Sequence, residues 1–180
     1  QPVQVLGPGT FSAISAHHEH VLALRDDSTV WAWGRNTEGE IGDPTPGNQN
    51  IPVQVVQLDQ VHSIEAGGYF SLVQKDDGTI WAFGTNAYGQ LGDGTNTSSA
   101  VPVQVVSFPS CISSIATGFW IGLAFEEPDS IMAWGYNNDG ELGNGTTVDS
   151  NLPINPIGLC PVALPATSPC GFAGIENNII

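Results

Sequence analysis

Positive charge is nearly absent from this chain. Arg25, Arg35 and Lys75 are its only lysine and arginine residues, against eighteen Asp and Glu, and the formal net charge over 180 residues is −15. A field of that sign repels phosphate backbones and anionic headgroups, which argues against nucleic acid and the bare membrane surface as partners. It suits a soluble, secreted protein, or one that meets cations or basic surfaces. Long apolar runs are missing too: no stretch of about eighteen such residues occurs, so no membrane insertion is expected. No segment carries a helical period, and the chain, which starts with Gln1, reads as having no signal peptide of its own. The chain reads either as a mature secreted protein or as a piece of a longer one. Cysteine is scarce, with three in all. Cys160 and Cys170 lie in a Pro-rich stretch with little core of its own. A disulfide between them would restrict the unfolded loop and contribute about 2–3 kcal/mol in an oxidising compartment. No Cys-x-x-Cys or nearby histidine supports a metal there. Cys111 is then left over as a small packed residue or a free thiol.

What the chain has in abundance is itself. Pro-Val-Gln-Val stands at Pro2–Val5, Pro52–Val55 and Pro102–Val105, a period of fifty residues. Trp31-Ala32-Trp33-Gly34, Trp81-Ala82-Phe83-Gly84 and Met132-Ala133-Trp134-Gly135 keep step with it. Glu40-Ile41-Gly42-Asp43, Gln90-Leu91-Gly92-Asp93 and Glu141-Leu142-Gly143-Asn144 follow in turn. A period of this size marks one supersecondary unit copied along the chain. The units divide as residues 1–50, 51–100 and 101–151, with 152–180 holding the start of a fourth and a Pro- and Cys-containing tail.

Within the second unit, Pro52 opens a short β-branched run, Val53–Val56. Ser71–Gln74 and Thr79–Phe83 flank Asp76-Asp77-Gly78, a hairpin signal. Asn86 to Thr95 is dense in Gly, Asn and Asp, which tolerate positive φ, so a loop of tight turns is expected. The first unit repeats the hairpin with Ser28 in place of the glycine. Four short strands per unit make the chain all-β, with the content of propeller blades.

These segments resemble the repeat of the regulator of chromosome condensation (RCC1) family. The resemblance rests on Gly67 to Gln74, Asp77-Gly78-Thr79-Ile80-Trp81-Ala82-Phe83-Gly84, and Asn86-Ala87-Tyr88-Gly89-Gln90-Leu91-Gly92-Asp93-Gly94-Thr95, and covers about residues 1–157. It implies RCC1-like β-propeller blades. At seven blades to a ring, about three and a fraction repeats make a partial propeller, or one completed by association of copies. The family's histidine stands at His20 but is Phe70 and Ile121 in the next units. One branch of the family promotes nucleotide exchange on a small GTPase and docks on chromatin, a role the acidity opposes; another inhibits β-lactamases by protein contact. The tail Gly174-Ile175-Glu176-Asn177-Asn178, followed by Ile179-Ile180, resembles the linker before type IX secretion sorting domains of Bacteroidetes, which implies an extracellular or cell-surface address.

Side chains that could carry function are few. His17, His18 and His20, beside Glu19, are candidate ligands for zinc or copper. The competing reading makes His20 structural and leaves its neighbours on a loop. The Asp/Asn/Gly loops at 36–48, 86–96 and 137–149 lack the ligand spacing of an EF-hand, so turns are expected rather than calcium. Tyr69-Phe70 and Phe119-Trp120 recur where the first unit has His18-Glu19-His20. Phe70 is expected in the core; Tyr69, Phe119, Trp120 and His18 are expected on a partner-binding surface. No catalytic arrangement emerges and no cofactor is implied. The expected function is a secreted or cell-surface module that binds a protein or glycan through loops on one propeller face. Two alternatives remain open: part of a polysaccharide-active enzyme with carboxylates or a metal at the propeller centre, and a purely structural or adhesive surface protein.

Overall fold

A computed structural model describes residues 9–106, 108, 111–127 and 130–157. These form three four-stranded antiparallel sheets, each in sequential strand order. The first holds β1 (Phe11–His17), β2 (His20–Arg25), β3 (Val30–Gly34) and β4 (Gln49–Gln54). The second holds β5 (Val61–Ala66), β6 (Phe70–Lys75), β7 (Ile80–Gly84) and β8 (Ser99–Gln104). The third holds β9 (Ile112–Thr117), β10 (Ile121–Glu126), β11 (Ser130–Gly135) and β12 (Ser150–Ile154). Among the described residues no helix is long and apolar enough to cross a membrane.

Local chemistry explains the hairpins. Asp27 and Asp77 accept the Thr29 and Thr79 amide protons on Oδ1 at 3.2 and 2.9 Å, closing the β2–β3 and β6–β7 turns. The residue after each aspartate is left-handed: Gly78 has φ +82°, and Ser28 holds the same conformation at φ +62°.

The sheets are offset from the sequence repeats. The Pro-Val-Gln-Val runs at Pro52 and Pro102 contribute the last strands of the first and second sheets, because the loop after each tryptophan motif returns them beside that motif. Pro52 therefore lies inside β4 and does not begin a strand, which corrects the sequence expectation. β4 is an edge strand, and its register slips between Ala32 and Gly34 of β3; the same slip recurs at Ala82/Gly84 and Ala133/Gly135. An edge strand with a bulge tolerates a residue that has no N–H to donate.

Successive sheets pack face to face and meet along their first strands, β5 lying against β1 and β2, and β9 against β5 and β6. Ala66 stitches this edge. Its N–H donates to Ser15 Oγ at 3.0 Å, and its carbonyl accepts from Thr117 Oγ1 at 2.9 Å. One apolar core fills each gap. Leu22, Val30, Ala32, Ile41 and Val55 of the first sheet meet Val61, Ile64, Val73 and Phe83 of the second. Phe70, Leu72, Ile80, Leu91 and Val105 then meet Ile112, Ile115, Met132 and Trp134 of the third.

Close approach sets the glycines at this interface. A Cβ on Gly42 would come within 2.9 Å of the Phe83 ring, and one on Gly92 within 2.8 Å of Trp134 Nε1. At Gly143, the third copy, the nearest atom is Pro156 Cβ at 3.3 Å. Nothing among the described residues covers that outer face of the third sheet or the outer face of the first. Ile64 and Ile115 are 5% and 7% exposed, whereas Ile14, at the same place in the first sheet, is 69% exposed.

Candidate functional site

The turns joining first to second strands stand at one end of the sheets, and the loops after β3, β7 and β11 stand at the same end. Backbone hydrogen bonds enforce this. The amides of Arg35, Thr85 and Tyr136 donate to the carbonyls of Glu19, Tyr69 and Trp120 at 2.8, 2.9 and 3.1 Å. Whatever the turn and the loop of one unit carry is therefore brought side by side.

Each loop is built around one buried asparagine. Asn36, Asn86 and Asn137 accept the amide protons of Ile41, Leu91 and Leu142 on Oδ1 at 3.2, 2.9 and 2.9 Å. Their Nδ2 groups donate to the carbonyls of Thr45, Thr95 and Thr146 at 3.0, 3.1 and 3.0 Å. A side-chain oxygen two residues beyond a loop amide completes the frame: Glu40, Gln90 and Glu141 accept from the amides of Glu38, Tyr88 and Asp139 at 2.8, 2.8 and 2.9 Å. The Asn/Asp/Gly composition is thus spent on turn geometry.

On this scaffold the aromatic side chains of the three turns touch one another. His18 lies 4.6 Å, centroid to centroid, from Tyr69, and 5.5 Å from Phe119. Tyr69 stacks on Trp120 at 4.9 Å with 26° between planes and meets Phe119 edge-on at 5.4 Å. Phe119 and Trp120 are 4.8 Å apart. The four surface residues expected from the sequence therefore converge on one ridge running across three sheets. Phe119 is 38% exposed, while Tyr69 and Trp120 are half-buried. Phe70 is fully buried, as expected.

Four more residues belong to the ridge. His17 packs edge-on against Phe119 at 5.5 Å. The Arg35 guanidinium lies over the Tyr69 ring, 4.6 Å from its centroid. It is held there by Glu19 and the buried Glu40, each at 3.0 Å, and the Glu19 hydrogen bond foremost raises its pKa. Tyr88 extends the ridge from Trp120 at 5.5 Å to Tyr136 at 5.0 Å. Aligning the units shows Arg35, Thr85 and Tyr136 at one position, after the glycine of the tryptophan motif. A position that carries a cation or a ring in an otherwise uniform stretch was the signal for two of them.

His20 behaves differently from its neighbours. It is buried, with Nε2 3.0 Å from Ser71 Oγ, and burial is the main reason its pKa falls from 6.5 to about 4. His17 and His18 thus go to the ridge and His20 to the core, and among the described residues no three His, Cys, Asp or Glu side chains gather as metal ligands would. At the convergent edge, Glu65 is the one carboxylate on β1, β5 or β9. It hydrogen-bonds Ser15 Oγ at 3.4 Å, and burial raises its pKa. Cys111 is disulfide-bonded, which corrects the expectation of a packed or free thiol. Cys160, Cys170 and the Gly174–Ile180 tail lie outside the described residues. Because the chain holds three cysteines, a bonded Cys111 is incompatible with the bridge expected between Cys160 and Cys170.

Three stacked four-stranded sheets converging on their first strands define a run of β-propeller blades. Residues 27–74 and 77–124 match the family described as Regulator of chromosome condensation (RCC1) repeat, and residues 11–40 and 61–90 match a second description of the same repeat. The matches span more than half of the chain, which belongs to the RCC1 repeat family. Among solved structures, human WBSCR16 is 22% identical with a TM-score of 0.73, over 86% of this chain and 39% of that one. Yeast RCC1 (Prp20), solved bound to Kap60, is 21% identical with a TM-score of 0.73, over 81% and 36%. Prp20p from Saccharomyces cerevisiae, in a structure described with its binding to Gsp1p and histones, is 20% identical with a TM-score of 0.73, over 81% and 38%. The chain thus spans less than two-fifths of each, and at these identities the likeness concerns the fold.

Proposed function

We propose that this chain is a protein-binding module that docks its partner on the aromatic ridge. The observation that carries this reading is ring-to-ring contact running from His18 through Tyr69, Phe119 and Trp120 to Tyr136, across all three blades and facing solvent. Rigid aromatics supply large contact area at low entropic cost, and such side chains dominate protein interfaces. Yeast Prp20, of the same fold, was solved bound to Kap60. We further place the module in an oxidising, extracellular or cell-surface setting, a reading supported by the Cys111 disulfide and the net charge of −15.

A protein array and a glycan array, each read with the wild type and with a Phe119→Ala/Trp120→Ala double variant, test the function. Protein ligands that lose at least about tenfold in affinity with the variant, while its unfolding transition is unchanged, support it. Ligands bound equally by both proteins overturn it, and glycans alone lost by the variant assign the ridge to sugar. Fractionation of the producing cells tests the address: protein confined to the cytoplasm refutes it.

A further inference from the structure

The two ends of the ridge are not equivalent. At the first-blade end the cation is already supplied, since Arg35 covers Tyr69 and is itself held by Glu19 and Glu40. At the third-blade end, Tyr88 meets Trp120 at 71° and Tyr136 at 77°, so the three rings bound a corner rather than a flat platform. All three are half-buried. Their backbones are fixed, with the Tyr136 amide on the Trp120 carbonyl at 3.1 Å and the Tyr88 amide on Gln90 Oε1 at 2.8 Å. The corner is therefore in place before any ligand arrives.

No lysine or arginine among the described residues serves it. Arg25 pairs with Asp27, and Lys75 with Asp59, at the opposite end of the strands. The loop that begins at Tyr136 instead carries the exposed carboxylates Asp139 and Glu141. An aromatic corner attracts both apolar groups and cations, because ring faces are electron-rich. The surrounding negative field separates the two, since it favours only the cation.

Building on the ridge as docking surface, we propose that Tyr88, Trp120 and Tyr136 form a subsite for a cationic side chain, arginine or lysine, of the protein partner. The recognition pairs the π faces with a charge that the carboxylates of the adjoining loop draw in. Guanidinium is more weakly hydrated than ammonium and loses less on entering an aromatic corner, so arginine is preferred.

The probes are acetylated, amidated peptides that carry one arginine, and the same peptides with citrulline, which keeps the shape and removes the charge. Amide and indole NMR shifts of the whole chain are followed up to about 10 mM peptide. The arginine peptide is expected to move the Trp120 indole and Tyr136 signals, with citrulline at least about fivefold weaker. Tyr136→Leu is expected to weaken the arginine peptide by a similar factor, and the milder Tyr136→Phe to retain binding, which separates loss of the ring face from misfolding. Equal binding of arginine and citrulline, or no shift with either, overturns the subsite. The ridge assignment itself is tested separately by the Phe119→Ala/Trp120→Ala variant, whose protein ligands would be lost even if the corner did not discriminate charge.

Discussion

His20 is the side chain through which acidity acts most directly on this fold. Its Nε2 lies 3.0 Å from Ser71 Oγ, and the single hydroxyl proton of Ser71 goes to the Glu40 carbonyl at 2.8 Å. The hydroxyl can therefore only accept from the imidazole, which fixes the neutral Nε2–H tautomer. Burial first, then the charges of His17 and His18, lowers the pKa from 6.5 to about 4. The unfolded chain takes up this proton near the higher value and the folded chain near the lower one. Between them the unfolded state binds more protons, so stability is complete above the upper value and is lost as pH falls. The loss reaches about 2 kcal/mol at pH 5 and about 3 kcal/mol at pH 4. Two effects run the other way: protonation relieves the repulsion behind a net charge of −15, and Glu65, its pKa raised by burial, gains on acidification. The comparison must therefore be differential. Urea unfolding of the wild type and His20→Gln at pH about 7, 6, 5 and 4 isolates the histidine, because glutamine keeps a donor for Ser71 and does not titrate. The advantage of the wild type over the variant should shrink by about 3 kcal/mol across the series. A difference constant to within about 0.5 kcal/mol would refute the buried, neutral assignment.

Asn86→Ala should cost about 2–4 kcal/mol, since it leaves the Leu91 amide and the Thr95 and Thr97 carbonyls without their partner; a loss below about 1 kcal/mol in urea titration would sink that account. Gly92 and Gly143 share a left-handed backbone, φ +63° and +62°, but only Gly92 lies under an indole. Alanine at either should cost about 1–2 kcal/mol for the backbone, and at Gly92 about 1–3 kcal/mol more for the clash with Trp134. Equal losses would mean that blade contact does not set the glycine. The faces around Ile14 and Gly143, which no described residue covers, should drive association of copies of this chain, seen as a rise of sedimentation coefficient with concentration. Ile14→Glu should suppress it, and a wild type that stays monomeric at all concentrations would count against it.

Several features of this protein follow from local sequence alone. Alternating β-prone runs, Asp-Gly hairpin signals and a fifty-residue period specify four strands per unit and an RCC1-type blade, because strand and turn formation depend on neighbours within a few residues. The same local logic placed Phe70 inside and Tyr69, Phe119, Trp120 and His18 at equivalent turns. It misplaced Pro52, because pairing β4 with the preceding motif is a choice between sheets that a short window does not contain. It also left Cys111 without a bond, because spacing along the chain does not by itself specify how cysteines pair.

Tertiary structure decided what touches what. Ring contacts such as Tyr69 with Trp120, or Tyr88 with Tyr136, join residues about fifty apart in the chain. They depend on how one blade packs on the next, where Phe83 lies against Gly42 and Trp134 against Gly92. The same stacking seals His20 from water and makes it neutral, while His17 and His18, one strand end away, remain on the ridge. The sequence holds the parts of the ridge in order along three units; only the packing of those units brings them into one surface and leaves a corner at Tyr88, Trp120 and Tyr136 for a ligand to fill.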